Sequence, residues 1–104
     1  MEVIIQQVGL DSNHRLRLRP ATLRSAGYDY IWRDASSVRW DGLNGEFYVH
    51  EAPEFTPLDE FKQIVAAVAR EYGETLIFSP STVFVDVPSN LITVLRESIV
   101  SKVT

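Results

Sequence analysis

"YDYIWRDASSVRWDG", residues 28–42, decides how the rest of the chain is read, because it sets two tryptophans and two tyrosines among arginines and aspartates. Read as a strand, its period of two puts Tyr28, Tyr30 and Trp32 on one face and Asp29, Ile31 and Arg33 on the other. Burying the aromatic face removes roughly 150–250 Å² per ring from water at about 25 cal/mol per Å². Burying the other face desolvates Asp29 and Arg33, at several kcal/mol each unless they pair. The stretch therefore predicts a strand with its three rings inward. After a tight turn over Asp34–Ser37, Val38 and Trp40 alternate inward with Arg39 and Asp41 outward.

The same alternation extends in both directions. "EVIIQQVG" (2–9) has a β-branched apolar run, and "HRLRLRP" (14–20) puts Leu16 and Leu18 opposite Arg15, Arg17 and Arg19, with turn chemistry in "GLDSN" between them. Pro20 ends the second run by removing a ladder donor. "DGLNG" (41–45) supplies hairpin dipeptides, and "EFYVHE" (46–51) sends Phe47 and Val49 inward and Glu46, Tyr48 and His50 outward. Residues 2–50 thus predict about five mostly antiparallel strands.

"FTPLDEFKQIVAAVAREYG" (55–73) predicts a helix, with Thr56 as cap, Pro57 at the first position, Asp59 and Glu60 at the positive end and Gly73 at the stop. Its stripe of Leu58, Phe61, Ile64, Val65, Val68 and Tyr72 should lie on the sheet. "TLIFSPSTVFVDVP" (75–88) reads as two strands around a Ser-Pro-Ser turn or as one bent strand. "SNLITVLRESIVSKV" (89–103) reads as a second amphipathic helix capped by Ser89, with Leu91, Leu95, Ile99 and Val103 inward. The expected fold is α+β: a mostly antiparallel sheet of about five to seven strands with two amphipathic helices packed on one face. The 104 residues fit one domain, 1–104, large enough for its own core.

Composition narrows function. The chain has no cysteine, so thiol nucleophiles, thiolate metal sites and disulfide scaffolds are excluded, which suits a reducing cytoplasm. The apolar run at the start, Val3–Ile5, is far short of a signal core or a membrane span. Neither a Gly-x-Ser-x-Gly elbow nor a Gly-rich phosphate loop is present, so the two commonest readable enzyme classes are unsupported; catalysis by an Asp/Glu pair stays open, and no cofactor is implied. Glu46 and His50 share a strand face but stand about 13 Å apart, too far to ligate one metal, and no metal site is assigned.

A net charge of −4 and a pI near 5.0 argue against nucleic acid as partner. The charges are nevertheless segregated. Glu51, Glu54, Asp59 and Glu60 form an acidic segment suited to contacting another protein. Arg15, Arg17, Arg19, Arg33 and Arg39, with Tyr48 for stacking, could grip an anion or a nucleic-acid strand, or simply guard an exposed sheet. A small-ligand protein or enzyme is the further alternative. An open sheet with two edges also favours a homodimer.

An aromatic-rich strand, a short turn, a hydrophobic-x-Trp pair, a Gly-bearing turn and a Thr-started helix occur here in the order "YDYIWRDASSVRWDG" then "TPLDEFKQIVAAVA". Over residues 15–79 this order resembles small bacterial immunity proteins of polymorphic toxin systems. The chain is also similar to orphan products of mobile, integron-type gene cassettes, which are small cysteine-free domains without readable active sites. The first resemblance implies a cytoplasmic inhibitor that binds a toxin and occludes it, with no catalytic residues to carry over.

Overall fold

The longest strand, β1 (Glu2–Leu10), organises the sheet because it is paired along both sides. On one side β2 (Leu16–Pro20) runs antiparallel, with Val8 opposite Leu18 and Leu10 opposite Leu16. The connecting turn is closed by Asp11, whose Oδ1 accepts the N–H groups of Asn13 and Arg15. The computed structural model describes residues 1–21, 27–34, 37–50 and 54–100. β3 (Val38–Asp41) and β4 (Glu46–Val49) form a hairpin that joins β2 through Leu18 and Phe47.

On the other side of β1, β5 (Thr75–Ile77) and β6 (Val83–Val85) lie one after the other, both parallel to it. Ser79–Pro80–Ser81 interrupts what would otherwise be one edge strand. Thr82 spans the break, donating its hydroxyl to the Ile5 carbonyl and accepting the Ser79 N–H. The order is β3-β4-β2-β1-β5, with β6 also on β1. This is the expected α+β architecture: a six-stranded, mostly antiparallel sheet with two helices packed against it.

The first helix, α1 (Pro57–Tyr72), forms where its capping chemistry predicts. Thr56 Oγ1 accepts the Asp59 N–H while the Asp59 carboxylate accepts the Thr56 N–H, and Gly73 takes the left-handed conformation that ends the helix. Phe61, Ile64 and Val68 are buried against Val3, Ile5, Val8, Leu16, Leu18, Val38, Phe47 and Leu76 of the sheet. Thr56→Ala is expected to lower stability by about 1 kcal/mol, read as a shift in a urea unfolding midpoint.

The second helix, α2 (Ser89–Val100), begins at Ser89 itself, so that residue lies inside the helix rather than capping it, and the Pro88 carbonyl accepts the Ile92 N–H. Leu95 is buried and Leu91 and Ile99 pack against the core; Val103 lies outside the described residues.

Residues 28–33 are not a strand. Tyr28 begins a turn that passes into a short 3-10 helix, η1 (Ile31–Asp34), with bonds from Ile31 N–H to Tyr28 O and from Arg33 N–H to Tyr30 O. Three residues per turn place Tyr28 and Ile31 together on the inside, each only 1% exposed. Tyr30 and Trp32 turn outward, 51% and 54% exposed. The expected burial of all three rings is therefore corrected to one ring plus Ile31. The 3-10 turn avoids desolvating Asp29 and Arg33 just as the strand would have done, but it leaves two aromatic rings half in water.

Candidate functional site

Tyr28 is the post on which this turn is mounted. Its ring packs at 4.8–5.1 Å, centroid to centroid, on Trp40, Phe47 and Tyr72, and its hydroxyl donates to the buried Glu74 carboxylate at 2.8 Å. The Tyr72 hydroxyl in turn accepts the Tyr30 N–H at 3.2 Å. The segment is thus fastened to the sheet, to α1 and to the residue after its cap. On the solvent side, the Arg33 guanidinium lies 4.3 Å from the Tyr30 ring centroid and 5.9 Å from that of Trp32. No carboxylate among the described residues pairs with Arg33.

The β3–β4 turn adjoins this segment. A Cβ on Gly42 would sit 3.8 Å from Trp40 Nε1 and 4.0 Å from Asp29 Oδ1, ordinary contact distances that place the turn against residue 29. Leu43 stands at the tip, 98% exposed. Asp41 fixes the tip: its Oδ1 accepts the Leu43 and Asn44 N–H groups, and its Oδ2 accepts from the Asn44 side chain. These bonds, led by those from Asn44 and joined by Arg17, hold the Asp41 carboxyl below its ordinary range. Tyr30, Trp32, Arg33 and Leu43 therefore project from two adjoining turns, each held by its own hydrogen bonds.

The arginines expected to form an anion site are distributed differently. Arg17 reaches Asp41 at 2.6 Å and Glu46 at 3.1 Å, and its guanidinium covers the Tyr48 ring at 4.8 Å. Arg19 stands 3.5 Å from the same Glu46. Arg39 lies beside Tyr48 in register and donates to the Val38 carbonyl. Arg15 sits 2.8 Å from Glu60 on α1. The structure brings Arg17, Arg19 and Tyr48 together on the sheet face turned away from the helices, but with carboxylates between them, while Arg33 is on η1.

The acidic segment divides as well. Glu54 and Asp59 are exposed, and Asp59 is engaged in the α1 cap, where the Thr56 amide and hydroxyl lower its carboxyl below the usual range. Glu60 is fully buried, so it is not part of a solvent-facing surface. Its Oε1 accepts the Leu16 N–H at 3.0 Å, and burial raises its carboxyl above the ordinary range against the pull of that N–H and of Arg15. Glu51 lies outside the described residues. Among the described residues no group of three or more His, Asp or Glu side chains could hold a metal ion, and no helix is long and apolar enough to cross a membrane.

The model of one protein family, Integron Cassette Protein Hfx_Cass5, matches residues 3–82. The chain belongs to that family. The match runs from β1 to Thr82 and so includes η1, the β3–β4 turn and α1 of this Hfx_Cass5-family member. A solved structure of Integron Cassette Protein Hfx_Cass5, from the mobile metagenome of North West Arm Sewage Outfall, is 25% identical, covers 95% of this chain and 96% of its own, and superposes with a TM-score of 0.45. No curated protein matches. The gene-cassette resemblance is thereby established at the level of family. Sequence reasoning had placed Tyr30 and Trp32 inside and passed over Leu43; an apolar residue among turn formers in "DGLNG" was the available signal.

Proposed function

We propose that this cassette protein is a non-catalytic protein-binding domain whose partner docks on Tyr30, Trp32, Arg33 and Leu43. The observation that carries the reading is the half-exposure of two aromatic rings on a turn whose other side is anchored in the core. Leaving about half of each ring in water forgoes roughly 2 kcal/mol per ring, so folding does not account for them there. Tyr, Trp and Arg are the residue types that dominate binding energy at protein interfaces, and a turn fixed in advance loses little entropy on docking.

The alternative of a nucleic-acid or anion module is less well supported. A strand of nucleic acid needs free cations along its path, whereas Arg15, Arg17 and Arg19 each face a carboxylate of the chain itself. Catalysis by paired carboxylates is disfavoured too, because Asp41 and Glu46 share Arg17, and Asp41 is held in its ionised form. The resemblance to immunity proteins names a toxin as the partner and the cytoplasm as the place, with Glu54 and Asp59 available to steer a basic toxin toward the domain.

The test is calorimetric titration of this protein with the product of any toxin gene that adjoins its own, using wild type, Trp32→Ala and Leu43→Ser. Wild type is expected to bind, and Trp32→Ala to lose about 30-fold or more in affinity. Both substitutions fall at exposed positions and should leave stability within about 1 kcal/mol of wild type. Equal affinity of wild type and Trp32→Ala would reject this surface. A dimer in light scattering that Trp32→Ala dissociates would make a second copy the partner.

A further inference from the structure

α1 and α2 flank a cleft of about 380 Å³. Its walls are Phe61, Val65, Ala66 and Ala69 of α1 and Ile99 of α2. Ala66 and Ala69 are what keep it open, since these small side chains stand where a larger residue would fill the space between the helices. Ser98 also lines the cleft, but its hydroxyl donates to the Leu95 carbonyl at 2.7 Å. The volume falls within the range of small-molecule sites, roughly 300–1,000 Å³.

Among the described residues Lys62, exposed, is the one ionisable residue in its lining, in a chain whose net charge is −4. Phe61, at the floor, stacks on Phe78 at 5.5 Å, and Phe78 and Phe84 both carry the Arg96 guanidinium at 5.2 Å. Arg96 is one helical turn from Ile99 and has no carboxylate partner among the described residues. The nearest acid to Lys62 on its own helix face is Asp59, which is hydrogen-bonded in the Thr56 cap and whose carboxyl the Lys62 charge also helps to lower.

We infer that the α1–α2 cleft binds an anionic amphiphile, an apolar chain ending in a carboxylate, with the chain along Phe61, Val65, Ala66, Ala69 and Ile99 and the carboxylate at Lys62. Apolar walls supply the burial that holds the chain, and the Lys62 ammonium at the lining sets the sign of the head group. A neutral chain should bind more weakly and a cationic one more weakly still.

The experiment uses the full chain and three probes of equal chain length, decanoate, decanol and decyltrimethylammonium, each kept below its micellar concentration and followed by methyl NMR shifts of Val65 and Ile99. Saturable shifts with decanoate are expected, with decanol weaker and the ammonium weakest. Lys62→Glu should weaken decanoate about tenfold and change decanol less than about twofold. Ala69→Phe, at an exposed helix position, should abolish the shifts with all three while the spectrum stays folded. The inference is overturned if decanoate produces no shift at Val65 and Ile99, if the ammonium probe binds as tightly, or if Ala69→Phe leaves decanoate binding intact. None of these results bears on Trp32, so they leave the protein-docking reading to its own test.

Discussion

Replacing Tyr28 by alanine should cost about 3–5 kcal/mol of stability, the range for losing a large aromatic from a packed core, and enough to unfold much of a domain of ordinary stability. The reason is positional. Tyr28 touches Trp40, Phe47 and Tyr72 and donates to Glu74, so one truncation opens a cavity where β3, β4, α1 and η1 meet. Tyr28→Phe separates the two contributions. It keeps the ring contacts and removes only the hydroxyl, for about 1–2 kcal/mol. Urea denaturation of both variants checks the pair, and a Tyr28→Ala protein as stable as wild type would mean that this ring is not the anchor.

The second large effect concerns Arg15 and Glu60. Arg15→Ala leaves a buried carboxylate supported by the Leu16 N–H, and should cost about 3 kcal/mol near neutral pH. The pH dependence has a definite sign. Glu60 in the folded protein holds its proton to higher pH than in the unfolded chain, so the folded state binds more protons between the two values. Its neutral form favours folding below the ordinary carboxylate value, and that contribution is lost as pH rises through the raised one. The penalty of Arg15→Ala should accordingly shrink as pH falls through the raised Glu60 value, where the carboxylate takes up a proton.

Asp41 and Asp59 act in the opposite direction. Their lowered values give stability that is present above the ordinary aspartate range and lost as pH falls through the folded values. Glu60→Gln keeps an acceptor for Leu16 and removes the charge, so it should flatten the pH profile contributed by Glu60. Unfolding midpoints at about pH 5 and about pH 7.5 for wild type, Arg15→Ala and Glu60→Gln report these differences, and an Arg15→Ala penalty independent of pH would contradict the assignment.

Much of this architecture could be read from residue order. The Leu/Arg alternation of 16–19 has one inside and one outside face because only one arrangement keeps Arg17 and Arg19 out of the core. Thr56, Pro57 and Gly73 mark the ends of α1 through local backbone chemistry that tertiary packing did not override. Glu60 shows where such reading stops short: it stands four residues before Ile64 on the buried stripe, a spacing that was visible, but its charge suggested solvent. What buries it is a partner 45 residues earlier, Arg15, and no local pattern reveals such a pairing.

The 28–33 segment failed for a different reason. Alternating aromatic and charged residues satisfy a strand of period two, but Tyr28 and Ile31 are also three apart, the repeat of a 3-10 turn, and Gly27 before them adopts a left-handed conformation that begins it. Beyond the two faces of a strand there is a third geometry, the 3-10 turn, which keeps the charges solvated while exposing two rings. The proposed docking surface is hidden in the sequence for the same reason, because the alternation assigns Tyr30 and Trp32 to the core.

The arrangement of those rings is best tested by photo-CIDNP NMR of the wild-type protein, in which a flavin dye enhances only the tyrosine and tryptophan side chains it can reach. Enhanced Trp32 and Tyr30 lines together with a silent Tyr28 are the predicted result. An enhanced Tyr28 or a silent Trp32 would contradict a turn anchored by one ring and presenting the other two.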